Sequence, residues 1–156
     1  MISDFHTLID FAAKKFNKKT FLDSIDLAHK NFSFSRLKRF SDQFNLCLSN
    51  NSINVQDKVF VLMHNSNLMT LLFLSTISNF RIFVPINPKS NIYEIKYIIK
   101  LTKPKLFICD KIYQDKIKFI KPQKKIIIEN EKKFISNIFY LKSFKKKKLL
   151  IKSKKH

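Results

Sequence analysis

No glycine occurs anywhere in the 156 residues. Average usage, about 7%, would place roughly 11 in a chain this long. Glycine lets backbone turn through positive φ without a steric penalty, and it lets main chain approach a ligand closely. A chain without it holds no Gly-rich phosphate loop, no GxGxxG dinucleotide fingerprint and no Walker A motif. The GxSxG nucleophile elbow is excluded in the same way. Any left-handed turn must then fall to another residue type. Asparagine tolerates that backbone best, and Asn17, Asn31, Asn50, Asn51, Asn54 and Asn79 stand where the pattern turns.

Between those turns, helical and strand patterns alternate. Phe5, Leu8, Ile9, Ala12 and Phe16 recur at helical spacing and predict a helix over 4–16 with Asn17 as its C-terminal cap. Thr20–Ile25 and Asn31–Phe34 read as the strands of a hairpin. Ser35 is expected to cap a helix whose apolar face is Leu37, Phe40, Phe44, Cys47 and Leu48. Lys58–Met63 reads as a buried strand, His64–Asn67 as a turn, and Leu68–Ser78 as a helix. Arg81–Ile86 is a further strand, closed by Pro85 and Pro88. Ser90 or Asn91 starts a helix that presents Ile92, Ile95, Ile98, Ile99 and Thr102. Lys105–Cys109 and Lys125–Glu129 are strands flanking a short helix over 111–120. After Glu129 the pattern weakens, and residues 134–141 are expected to form one more strand. This order predicts an α/β fold, a largely parallel sheet with helices on both faces. One domain over 1–141 is expected, with a disordered Lys-rich tail over 142–156.

The formal net charge is +20, and 28 of the 31 basic residues are Lys. Patches that recognise phosphate favour Arg for its planar fork, and only Arg36, Arg39 and Arg81 occur. Lys, Asn, Ile and Phe all come from AT-rich codons, so base composition accounts for much of this charge. Non-specific, salt-sensitive attraction to nucleic acid or an anionic membrane is expected all the same. Cys47 and Cys109 are far apart, sit in apolar surroundings and read as buried reduced thiols. Met1–Phe16 carries Asp4 and Asp10 and does not read as a signal peptide. Leu68–Phe80 is too short to cross a bilayer. A cytoplasmic protein is the expectation.

Few residues invite chemistry. His6, His29, His64 and His156 show no i, i+4 pairing, so no zincin pattern exists. His64 sits at a strand-to-helix turn, where α/β folds place chemistry, but no neighbour in sequence supports it. Asp23 and Asp26 flank an expected hairpin turn, and turn chemistry accounts for them. Asp110 ends a strand at the edge where ligands bind, and a helix-start role is the simpler reading. The Phe residues fall at core spacing rather than as a stacking platform. No catalytic, cofactor-binding or metal-binding residue is assigned.

The order of segments nonetheless resembles a known family. FAAKKFNKKTFL at Phe11–Leu22 comes first, then FSFSRLKRFSDQFNLCL at Phe32–Leu48. Asp57-Lys58-Val59, Asn65-Ser66 and Val84-Pro85-Ile86-Asn87-Pro88 follow within Val55–Asp110, and KKIIIE closes the series at Lys124–Glu129. Together they resemble the N-terminal portion of the adenylate-forming enzymes: acyl- and aryl-CoA ligases, nonribosomal adenylation domains and luciferases. The resemblance covers roughly residues 4–130. It departs at two turns, where Gln56 and Phe80 stand at positions the family usually fills with glycine.

In that family a Ser/Thr/Gly-rich loop ending in Pro-Lys grips ATP, and it lies beyond the matched region. ATP, Mg²⁺ and CoA are implied for the full-length family and none for this chain alone. The resemblance implies an N-terminal fragment of an acid–CoA ligase-like enzyme, inactive alone. It would be a truncated or frameshifted product, or one piece of a split enzyme whose remaining part is its partner. A small basic protein binding nucleic acid or an anionic surface is the rival from another class. A third reading is an intact interaction module that lost its chemistry and binds a partner through the exposed sheet edge or the unpaired hydrophobic face.

Overall fold

The computed structural model describes residues 4–23, 32–121 and 125–140. The tail boundary at 141/142, residues 142–156, Asp26, His29, Asn31 and His156 lie outside them. Helix α1 (Phe5–Phe16) begins at Asp4, whose carboxylate accepts the Thr7 amide at 2.8 Å. Strands β1 (Thr20–Leu22) and β2 (Phe32–Ser33) pair antiparallel, as expected of the hairpin. Helix α2 (Phe34–Asn50) is capped by Ser33, not Ser35. The Ser33 hydroxyl accepts the Arg36 amide, and Ser35 lies inside the first turn with its hydroxyl 3.0 Å from that of Ser33. A serine at either position suits a cap, and strand β2 ending at Ser33 decides between them.

The main sheet has four parallel strands in the order β4 (Ile82–Ile86), β3 (Lys58–Leu62), β5 (Leu106–Asp110), β6 (Lys125–Ile128). Helix α3 (Asn67–Ser78) links β3 to β4, and α4 (Ile92–Thr102) carries the chain from β4 across β3 to β5. A 3-10 helix at Lys111–Ile117 precedes β6. Strand alternation splits the core into two layers. Val59, Val61, Met63, Leu106, Ile108 and Ile128 face α1, α2 and α3 on one side. Phe60, Leu62, Phe107 and Cys109 face Ile95 of α4 and Ile117 on the other. Helices therefore cover both faces, as the alternating pattern predicts.

Residues 134–140 are not a strand, and Leu141 lies outside the described residues. Helix α5 (Glu131–Phe139) occupies most of that stretch and buries Phe134, Ile135 and Ile138 against the α2 side of the sheet. Their i, i+1, i+4 spacing is helical, and Asn130 caps the helix by accepting the Lys133 amide at 2.9 Å. Pro85 lies inside β4, in register with Val61, rather than closing it. Among the described residues the strand pairs only with β3, and an edge strand tolerates a missing N–H.

Among the described residues, left-handed backbone falls mostly to residues other than asparagine. Positive φ occurs at Asn17, Ser52, Gln56, Phe80 and Lys103. Of the six asparagines expected to take that role, Asn50, Asn51, Asn54 and Asn79 have ordinary φ, and Asn31 is outside the described residues. Asn79 instead ties α3 to α2, its amide donating to the Ser41 carbonyl, the Ser41 hydroxyl and the Ser75 carbonyl. Gln56 (φ 65°) and Phe80 (φ 57°) are joined by a 2.7 Å bond from the Gln56 amide to the Phe80 carbonyl. Next to this clasp lies buried Arg81, which donates to the carbonyls of Ile53 and Asn79 and to the side chains of Asn45 and Ser49.

Candidate functional site

Strands β3, β5 and β6 run parallel and side by side, so their carboxyl ends share one edge. Open α/β sheets bind ligands at that edge. Three chemistry-bearing side chains meet there: His64 just after β3, Asp110 at the end of β5, and Glu131 at the start of α5 after β6. One donor atom from each lies within 4.8 Å of the others.

Asp110 is buried, at 5% exposure. Its Oδ2 accepts the His64 backbone amide at 3.2 Å and lies 2.6 Å from the His64 Nδ1. A carboxylate held against Nδ1 favours the tautomer with the proton there and leaves Nε2 facing outward. Nε2 lies 3.7 Å from Oε1 of Glu131, beyond hydrogen-bond reach. That Glu131 oxygen is itself shielded from solvent and accepts no hydrogen bond. The imidazole is half exposed and reachable from water.

The fold thus gives His64 the support that its sequence neighbours do not, and it corrects the reading of Asp110. Asp110 precedes the 3-10 helix but makes no side-chain capping bond to it. Its carboxylate turns back across the sheet edge because β5 lies directly beside β3. Sequence reasoning misses Glu131; the Asn130 cap and the helical spacing after it are the signal that marks its position. The remaining candidates stay apart. His6 pairs at 3.8 Å with Asp10 on the surface of α1. Asp23 is exposed just after β1. Cys47 and Cys109 are free, buried and in opposite core layers. Burial pushes both thiols up to about 12, so neither is a nucleophile near neutral pH.

The helices that start at this edge carry side-chain caps on their first turns. The Ser66 hydroxyl accepts the Met69 amide at α3, and Asn91 accepts the amides of Tyr93 and Glu94 at α4. Glu94 returns a bond to the Asn91 amide, completing a capping box. No helix among the described residues is long and apolar enough to cross a membrane.

Solved structures share this architecture. A long-chain-fatty-acid-CoA ligase from Archaeoglobus fulgidus superposes with a TM-score of 0.75 at 17% identity, over 89% of this chain and 30% of that one. The anthranilate CoA ligase AuaEII, solved with anthranoyl-AMP, gives 0.74 at 17% identity, over 88% of this chain and 27% of that one. At such identity the likeness concerns the fold. In sequence, the D-alanine–D-alanyl carrier protein ligase of Listeria monocytogenes is 35% identical over 85 residues, which are 54% of this chain and 17% of the relative. The matched stretch is therefore about a sixth of that relative's length. The family described as AMP-binding enzyme matches residues 9–155. With its parallel sheet, its helices on both faces and that match over nearly its whole length, the chain belongs to the AMP-binding, adenylate-forming enzyme family.

Proposed function

We propose that the chain supplies the N-terminal part of an ATP-dependent adenylate-forming acid ligase and does not turn over ATP by itself. The observation that carries this is the combination of a family match over residues 9–155 with coverage of only a sixth of a carrier protein ligase. Forming an acyl-adenylate is an in-line displacement at phosphorus. It needs donors and Mg²⁺ placed to take up charge on the phosphate oxygens.

The sheet edge described above does not fit a triphosphate. Its turns contain no glycine, so a Cβ stands at every position where backbone would have to approach phosphate. In the first turns of α3 and α4, the amides of Met69, Tyr93 and Glu94 already donate to the Ser66 and Asn91 side chains. No step of ATP chemistry is therefore assigned to these residues. The role of this part is architectural: four parallel strands and their helices form one wall on which the remaining enzyme packs. That remaining part is the proposed partner. It would carry the ATP-gripping loop and choose both the acid and the acceptor, coenzyme A or a carrier protein.

The DNA downstream of codon 156 tests the reading. A segment encoding a Ser/Thr/Gly-rich loop that ends in Pro-Lys, in any frame, supports it. Several hundred codons without one contradict it.

A further inference from the structure

The geometry points to a transition-metal site at the carboxyl edge of the sheet, with His64 Nε2 and Glu131 Oε1 as direct ligands and Asp110 positioning the imidazole. Nothing in the family assignment requires such a site, and it stands on local geometry alone. The first observation is the pairing of opposite sides of one ring. Asp110 Oδ2 sits 2.6 Å from Nδ1, while Glu131 Oε1 sits 3.7 Å from Nε2. A metal-bound histidine ordinarily donates its other N–H to a carboxylate, which fixes its tautomer and raises its basicity.

The second observation is the Glu131 oxygen. It is shielded from solvent, accepts no hydrogen bond, and faces the His64 Nε2 at 3.7 Å. A carboxylate oxygen left without a donor at this range is offset by a proton on Nε2 or by a metal ion bound in its place. The gap also has the right size. A tetrahedral ion with bonds of about 2.0–2.1 Å holds its donors roughly 3.3–3.4 Å apart. A small sideways turn of the half-exposed imidazole closes 3.7 Å to that value.

One imidazole with one carboxylate suits Zn²⁺ or Co²⁺ better than Mg²⁺ or Ca²⁺, which favour all-oxygen sets. Two coordination positions remain for water or for a ligand that brings its own oxygen donors. Lys111 and Glu129, which follow β5 and β6 at this same edge, pair with each other at 3.0 Å.

Co²⁺ is the probe, since a tetrahedral ion reports itself by visible absorption. The whole 156-residue chain is titrated with Co²⁺ and then challenged with Zn²⁺. A saturable visible band, displaced by one equivalent of Zn²⁺, is expected. His64→Ala and Glu131→Gln should each weaken binding by about 10–100-fold, as should Asp110→Asn, which removes only the positioning carboxylate. Asp110 is buried, so far-ultraviolet circular dichroism checks that its variant folds; the variants at His64 and Glu131 keep the test decisive if it does not. His6→Ala, which alters the other described histidine–carboxylate pair, should leave the band unchanged. No saturable band, or a band that survives His64→Ala and Glu131→Gln, overturns the site and leaves the cluster as a structural ion pair. Neither outcome bears on ATP chemistry, so the two proposals fail separately.

Discussion

Replacing Gln56 with glycine should stabilise the protein. Gln56 has φ 65° and an exposed side chain, and its amide donates to the Phe80 carbonyl at 2.7 Å. Left-handed backbone costs a residue with a Cβ about 1–2 kcal/mol. Glycine removes that cost but adds freedom to the unfolded chain, which returns about 0.5–1 kcal/mol. The net gain is about 0.5–1 kcal/mol, or a rise in Tm of about 1–4 °C for a domain of this size. Phe80→Gly relieves the same strain at φ 57° but gives up part of a ring that is 53% exposed, so its gain should be smaller. Gln56→Ala is the control, because it removes the side chain and keeps the Cβ. Thermal unfolding followed by circular dichroism reads all three. A Gln56→Gly variant that melts at or below the Gln56→Ala variant would show that the Cβ carries no cost at this turn.

Two further outcomes follow from buried groups. Arg81→Ala should cost about 2–4 kcal/mol in urea unfolding, because it strands the Ile53 and Asn79 carbonyls that accept its bonds; a loss below about 0.5 kcal/mol would contradict this. The thiols predict an alkaline effect. Cys47 and Cys109 stay protonated in the folded state up to about 12 against an ordinary value of 9.0, so their contribution is complete below pH 9.0 and lost as pH rises toward 12. A Cys47→Ala, Cys109→Ala double variant should accordingly lose less stability between pH 9 and 11 than the parent, and equal losses would sink the prediction.

Local pattern makes most of the elements legible in the sequence, and topology hides the site. The face Leu37, Phe40, Phe44, Cys47 and Leu48 is buried as its spacing requires. The strands of the parallel sheet fall within a residue or two of their apolar runs. Contacts set by strand order are not legible. His64 and Asp110 are 46 residues apart, and they touch because β5 lies beside β3 while β4, between them in sequence, lies on the other side. Helix α5 reads as a strand because lysines dilute its short apolar stripe, although Asn130 and the spacing of Phe134, Ile135 and Ile138 carry its signature. The glycine-free turns are half legible. Periodicity alone points to asparagines, of which Asn17 has positive φ, while the family resemblance marks Gln56 and Phe80, two more of the five positive-φ residues described.

The proposed role of this stretch is to build a wall of an adenylate-forming enzyme without gripping ATP. Exchange of labelled pyrophosphate into ATP tests it most directly, with the 156-residue chain, Mg²⁺ and a panel of acids that includes D-alanine, fatty acids and anthranilate. Exchange no faster than in the absence of protein is expected for every acid. Acid-dependent exchange above that background, proportional to protein concentration, would contradict it.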